Sequence, residues 1–187
     1  GRLSHSSYQA DGGPPVAPSP VRFDGTVRTA GGETVPLETP RALHADELPA
    51  LVEAYASAAR NAMRAGFDGV EIHAANGYLL EQFLQSRTNL RTDAYGGSIE
   101  NRCRLPLEVA RAVAAACGAD RVGIRLSPFG VANGSGEDDP EPLYRHLIRA
   151  LDGLGLAYLH LIEPRASGAG QAEVDRQGVP SAAALYR

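Results

Sequence analysis

Residues 65–102 read AGFDGVEIHAANGYLLEQFLQSRTNLRTDAYGGSIENR, and this stretch decides the fold class and carries the chemistry. Asp68-Gly69-Val70-Glu71-Ile72 is short, apolar on alternate positions and preceded by Gly66, the pattern of a strand that follows a helix C-cap. Ala74, Ala75 and Gly77 are small and let the chain turn. His73, Asn76 and Tyr78 are therefore expected to converge just past the strand's carboxyl end, the edge at which parallel α/β architectures hold ligands. An imidazole and a carboxamide three residues apart can donate two hydrogen bonds to one oxygen, as polarising a carbonyl or nitro group requires. Tyr78 adds an O–H able to deliver a proton nearby.

Taken singly, each residue has an ordinary explanation. A lone His after a strand is more often a loop hydrogen-bonder, Asn76-Gly77 is a turn signal, and a Tyr at the head of an apolar run is usually core. The combination is what favours a site. No metal centre is expected, because His73 has no second His or Cys at a ligand spacing and Glu71 is expected to point to the opposite face of the strand.

Working outward, Leu48, Leu51, Val52, Tyr55, Ala59, Ala62 and Met63 recur at helical spacing and Gly66 ends that helix. A second helix runs from about Glu100 to Ala116, with Ser98 and Glu100 as capping groups, and leads to a strand over Arg121 to Leu126. Asn133 to Asp139 is polar and glycine-rich, a loop. A third helix carries Leu143, Leu147, Ile148, Leu151 and Leu154, and a strand over Ala157 to Ile162 follows. Helix and strand in alternation predict parallel strands with right-handed crossovers. Residues 1–45 are rich in Gly, Pro, Ser and Thr and read as loop, with a hairpin around Ala30-Gly31-Gly32-Glu33. Glu163 to Gly178 reads as a further loop, and Ser181 as the cap of a final helix that the end of the chain cuts short.

Composition excludes several classes. The 187 residues carry a formal net charge of −4 with scattered arginines, which argues against nucleic acid as a partner. No apolar run is long enough for a membrane span and no signal peptide is visible, so a cytoplasmic protein is expected. Cys103 and Cys117 fall in one predicted helix, about 21 Å apart at about 1.5 Å per residue, and cannot bridge there. Reduced thiols are expected.

The run from His73 through Asn76, Gly77, Tyr78, Leu79 and Leu80, then Gln82-Phe83-Leu84, Asn89, Arg91-Thr92-Asp93, Tyr95-Gly96-Gly97-Ser98 and Glu100-Asn101-Arg102, resembles the signature of the old yellow enzymes. These are flavin-dependent ene-reductases built on a (β/α)8 barrel. Gly1-Arg2 with Ser4-His5, Pro15 to Ser19, Thr39 to Leu43 and Gly123 to Pro128 extend the match, which weakens after about Pro164. The resemblance implies that His73 and Asn76 bind the electron-withdrawing oxygen of an activated alkene, with Asn where some members have a second His. It implies that Tyr78 protonates one alkene carbon while hydride reaches the other from the flavin N5. Arg125, at the end of a later strand, looks like the arginine that faces the flavin N1 and O2. The implied cofactors are FMN and, as reductant, NADPH or NADH; the implied substrates are α,β-unsaturated carbonyls and nitroalkenes. Arg91, Asp93, Asn101 and Arg102 read as scaffold. Some relatives hold an iron–sulfur cluster, whose cysteines would lie beyond Arg187; Asn76 favours the flavin-only branch.

A (β/α)8 barrel needs on the order of 250 residues. The expected fold is therefore a partial TIM barrel, a single partial domain over 1–187 made of a loop and hairpin region (1–45) and about three β/α units (46–187), internal to a longer enzyme. Two alternatives stand beside ene-reduction. One is a non-catalytic fragment or assembly unit that does not retain flavin and pairs its open sheet edge with another chain, so that a homo-oligomer stays open. The other is a hydrolase or aldolase, which would need a metal cluster, a Schiff-base lysine or an activated nucleophile; all 18 basic residues are arginine, and neither Ser127 nor Cys103 has an apparent base.

Overall fold

Alternation along three short segments produces the sheet on which everything else is mounted. In the computed structural model, which describes residues 1–164 and 180–186, strands β5 (Val70–Ala74), β6 (Val122–Leu126) and β7 (Tyr158–Leu161) lie side by side in that order, all parallel. Ile72, Ala74, Val122, Ile124 and Leu126 turn to one face and are buried. That face packs under helices α1 (Leu48–Arg64), α3 (Ile99–Cys117) and α4 (Pro140–Asp152), which contribute Leu48, Ala59, Leu105, Val109, Val113, Leu143 and Leu147 to a single core. Each fully buried aliphatic side chain there is worth about 1.5–3 kcal/mol relative to exposure. The other face is polar: the register sets Glu71, Gly123 and Tyr158 in one row and His73, Arg125 and His160 in the next.

The helix ends follow their sequence signals. Gly66, at φ 90°, closes α1 with the paired bonds Phe67 N–H to Ala62 O and Gly66 N–H to Met63 O. The Ser98 hydroxyl accepts the Asn101 N–H at the start of α3. Both cysteines sit in α3 as expected and are free thiols.

The N-terminal region carries the expected hairpin, β2 (Thr26–Arg28) against β3 (Thr34–Pro36), and also a parallel pair that local sequence did not reveal, β1 (Val16–Ala17) with β4 (Arg41–Ala42). Arg91 clamps this region to the rest, donating to the Pro18 and Leu43 carbonyls while paired with Asp93. Asn89 and Asn101 close the following loop on the Phe83, Tyr95 and Gly96 carbonyls. These contacts are structural, in line with the scaffold reading.

Three expectations are corrected. The strand expected over Asp68 to Ile72 runs two residues later, because pairing with β6 continues through His73 and Ala74; His73 is a strand residue, not a loop residue beyond it. Glu71 shares the face of His73, since residues two apart in a strand point the same way, and its carboxylate meets His160 Nδ1 at 2.9 Å. Ser181 does not cap a helix: it donates to Glu163, whose carboxylate accepts the Ala182 and Ala183 N–H groups of a short 3₁₀ turn, Ala182–Tyr186. Most of the loop expected over 163–178 lies outside the described residues.

The polar stretch Asn133 to Asp139 is tied down by a buried ion pair. Glu137 accepts from Arg102 and from the Ser86 N–H, and Arg102 also donates to the Leu84 carbonyl, with both charged side chains almost wholly buried. Removing one partner of such a pair strands the other charge in low dielectric. Glu137→Ala should therefore cost about 3–5 kcal/mol of unfolding free energy in urea, whereas a loss under about 1 kcal/mol would mean that Arg102 recovers water.

Candidate active site

Beyond Ala74 the chain makes a tight reversal. The Tyr78 N–H bonds to the Ala75 carbonyl at 3.1 Å, and the two central residues, Asn76 (φ 55°) and Gly77 (φ 75°), both lie in the left-handed region. Asn tolerates that conformation and Gly prefers it. Gly77 is required for a second reason: a Cβ there would sit 2.7 Å from the Ala132 carbonyl oxygen, where the loop after β6 presses on the turn. Tyr78 then becomes the N-cap of α2 (Leu79–Leu84), a six-residue helix whose interior residues are almost all buried.

Three of the four expected site residues can be placed against one another. His73 on β5 is the register partner of Arg125 on β6, and the His73 and Tyr78 rings stand 5.1 Å apart at 52°. Asn76 lies on the turn between them. Burial, and then the neighbouring Arg125 charge, push the His73 imidazole below its usual pKa, so it is held neutral with one N–H to donate. Tyr78 is 46% exposed, with its ring beside that of His73.

Their hydrogen bonding sets these four apart from the polar groups around them. Among the described residues the His73 imidazole, the Asn76 carboxamide and the Tyr78 hydroxyl donate to and accept from no other group in the chain, and Arg125 Nε is buried without a partner. Native structures ordinarily pair a buried nitrogen such as Arg125 Nε; the other three groups reach solvent, and all four are free to meet a ligand. An imidazole N–H, a carboxamide and a guanidinium can bind and polarise an oxygen or counter a negative charge; the phenol can pass a proton.

Behind the turn lies a group that the sequence did not expose. Glu81, in α2, is fully buried and takes three donors: the Gly77 N–H, the Ser127 hydroxyl and, at 2.9 Å, the Tyr144 hydroxyl. Ser127 in turn accepts the Asn76 N–H at 2.8 Å. Burial pushes the Glu81 carboxyl up to about 7 against the pull of these hydrogen bonds. Ser127 thus does have a carboxylate beside it, contrary to expectation, but at 2% exposure it is beyond the reach of a substrate. Cys103 is wholly buried and its thiol is pushed up to about 12 by burial, so neither residue is a nucleophile. No group of three or more His, Cys, Asp or Glu side chains among the described residues could hold a metal, and no helix among them is long and apolar enough to cross a membrane.

Comparison with known proteins shows the family. The model of the NADH:flavin oxidoreductase / NADH oxidase family matches residues 1–184. The chain belongs to that family. Among curated relatives, putative 12-oxophytodienoate reductase 11 of Oryza sativa subsp. japonica is 47% identical over 165 residues, 88% of this chain and 45% of that protein. Chanoclavine-I aldehyde reductase of Penicillium roqueforti is 50% identical over 167 residues, 89% of this chain and 42% of that one. The solved structure of morphinone reductase in complex with tetrahydroNAD superposes with a TM-score of 0.84 at 52% identity, covering 91% of this chain and 48% of the other. The chain spans just under half the length of these relatives. Its three parallel β/α units are part of the (β/α)8 barrel of the old yellow enzymes, with no closed barrel among the described residues.

The buried carboxyl of Glu81 makes stability depend on pH in a definite direction. It holds its proton up to about pH 7 when folded but only to 4.5 when unfolded. Its contribution is therefore complete below about pH 4.5 and is lost as pH rises through about 7, a change of about 3 kcal/mol. His73, whose folded pKa is lowered, acts in the opposite sense, gaining as pH rises towards 6.5. Comparing urea unfolding of the chain with that of Glu81→Gln removes the His73 contribution, and the substitution should flatten the fall; an equal slope in both would show that Glu81 does not take up the proton.

Proposed function

We propose that this chain serves an FMN-dependent oxidoreductase that reduces the C=C bond of activated alkenes, α,β-unsaturated carbonyls and nitroalkenes, with NADPH or NADH as electron donor. The observation that carries the reading is the set of four unpartnered polar groups at the carboxyl end of β5 and β6, in a chain of a flavin oxidoreductase family. Arg125 fits a flavin: its Nε is buried without a partner, and a guanidinium stays charged, so it would hold the ring and favour its anionic reduced form. Bound FMN, reduced by the nicotinamide, supplies the hydride.

The chain's own residues account for the rest. His73, kept neutral, donates its N–H to the carbonyl or nitro oxygen, and the Asn76 carboxamide donates a second hydrogen bond to the same oxygen. Drawing charge onto that oxygen leaves the β-carbon electron-poor, and donors fixed beforehand cost no reorganisation as charge develops. Tyr78, half exposed and 5.1 Å from the imidazole ring to ring, gives its proton to the α-carbon.

A second reading, an assembly unit that pairs with another chain and does not retain flavin, is favoured by one feature: β5 and β7 each leave an edge unpaired among the described residues. The visible absorption spectrum after adding excess FMN and removing what is unbound separates the two. A retained flavin band sustains the oxidoreductase; a colourless protein that sediments as an oligomer sustains the assembly unit.

In the flavin-loaded protein, replacing His73 and Asn76 together by Ala should lower kcat/KM for alkene reduction on the order of 100-fold or more, the loss of two donors to a developing oxyanion, with the flavin band intact. Undiminished turnover would sink the roles assigned to them. Tyr78→Phe should slow reduction most for weakly activated alkenes, whose α-carbon most needs a proton donor, and equal slowing across a graded substrate series would remove Tyr78 from the proton transfer.

A further inference from the structure

We infer that Glu81 is a positioning residue for the oxygen-binding pair, holding the Asn76-Gly77 turn directly through the Gly77 N–H and indirectly through Ser127, and so setting the aim of the Asn76 carboxamide. The inference rests on the reading of Asn76 as a donor to the substrate oxygen.

The geometry follows from bonds already described. A turn with two successive left-handed residues suits Asn and Gly, but its backbone N–H groups belong to no helix or sheet ladder and need partners where they are buried. The Gly77 N–H finds one carboxylate oxygen of Glu81; the other oxygen takes the Ser127 hydroxyl, which accepts the Asn76 N–H in turn. On the far side, the Asn133 carboxamide donates to the Asn76 carbonyl at 2.8 Å. Asn76 is therefore gripped at both ends of its backbone while its side chain is left free. The position in sequence suits the task, since Glu81 is one helical turn beyond Gly77 and the N-terminus of α2 directs it back under the turn.

An ionised carboxylate serves this arrangement and a protonated one does not. Three neutral donors meet the carboxyl: an amide and two hydroxyls. Ionised, Glu81 offers acceptor sites to all three. Once protonated, it must itself donate through one oxygen, to Ser127 or to Tyr144, and the hydroxyl so displaced loses its acceptor in a buried place. The titratable group facing Glu81 is Tyr144 on α4, whose phenol stays neutral because burial raises it well above 10, with the charges of Glu81 and Glu137 acting in the same sense. Gln85 donates weakly to Tyr144 at 3.4 Å and is occupied by the Gly136 N–H through its other end, so it cannot take over. With the Glu81 carboxyl poised at about 7, the hold on the turn changes within the neutral range.

Two variants and two readouts test this in the flavin-loaded full chain. In wild type, KM for cyclohexenone should rise as pH falls through about 7, while kcat changes less. Glu81→Gln should raise KM about tenfold and abolish its change near pH 7, leaving only the separate titration of His73 at lower pH, and Ser127→Ala should raise it by a similar factor, as expected for loss of one buried hydrogen bond. The second readout needs no turnover. In an amide NMR titration, the Asn76 and Gly77 backbone amides and the Asn76 carboxamide should shift together with a midpoint near 7. In Glu81→Gln all of these should be flat. In Ser127→Ala the Gly77 amide should still titrate while the Asn76 signals do not, which distinguishes relay through Ser127 from general loosening. Asn76 signals that ignore pH and both substitutions would overturn the inference, and so would a KM that is unmoved in both variants. If no variant, wild type included, reduces cyclohexenone while the amide titrations come out as stated, the ene-reductase reading fails and the hold of Glu81 on the turn stands.

Discussion

The parallel pairing of β5 with β6 is the constraint from which the rest follows. It fixes His73 opposite Arg125, it carries β5 two residues further than its own sequence suggests, and it brings Ser127 beneath the turn at Asn76. A slip of β5 by one residue against β6 would turn His73 into the helix-packed core and Ile72 out of it, and a slip of β6 would do the same to Arg125 and Ile124, so the buried face enforces the register that the polar face uses. Here stability and chemistry are alternate residues of the same two strands.

Two kinds of polar group lie around this sheet, and the contrast between them is informative. Glu137 with Arg102, Glu81 with its three donors, and Arg91 with its carbonyls each find partners within the chain, Arg102 Nε excepted, and each ties one segment to another. His73, Asn76, Tyr78 and Arg125 sit among them with nothing in the chain to bind. Of the four, Arg125 Nε is buried without any acceptor in the chain. Leaving that nitrogen unpaired costs stability, and a ligand offering it an acceptor would recover the cost.

Much of this was legible in the sequence because it rests on short-range rules. Period-2 alternation marked the strands, period-3.6 the helices, Gly66 and Ser98 the helix ends, and the glycine pair the hairpin. The site residues were legible as a motif and not as a geometry. What stayed hidden depends on partners remote in the chain. The end of β5 is set by a strand some fifty residues later. The β1 and β4 strands, two residues each, have no pattern to read. Helix α2 escaped notice because burial on nearly all sides leaves it no polar face and hence no period. The face of Glu71 needed no structure at all, only the count of two residues from His73.

Glu81 shows how such a gap bears on function. In sequence it is a single acid within Leu-Leu-Glu-Gln-Phe-Leu, where a surface position is the ordinary expectation. A carboxyl flanked on both sides by residues that must be buried has only one way to lie in a six-residue helix packed on all sides, which is inward. Once inward it needs donors, and the backbone N–H groups of a left-handed turn are donors that no regular element can satisfy. The turn and the acid therefore explain each other: the turn can be held because a buried acceptor lies under it, and the acid can be buried because the turn presents its N–H groups. The same reciprocity ties the backbone of Asn76 and Gly77 to a buried carboxyl, and, if the Asn76 carboxamide binds the substrate oxygen as proposed, it makes that donor answer to a proton that the substrate never touches.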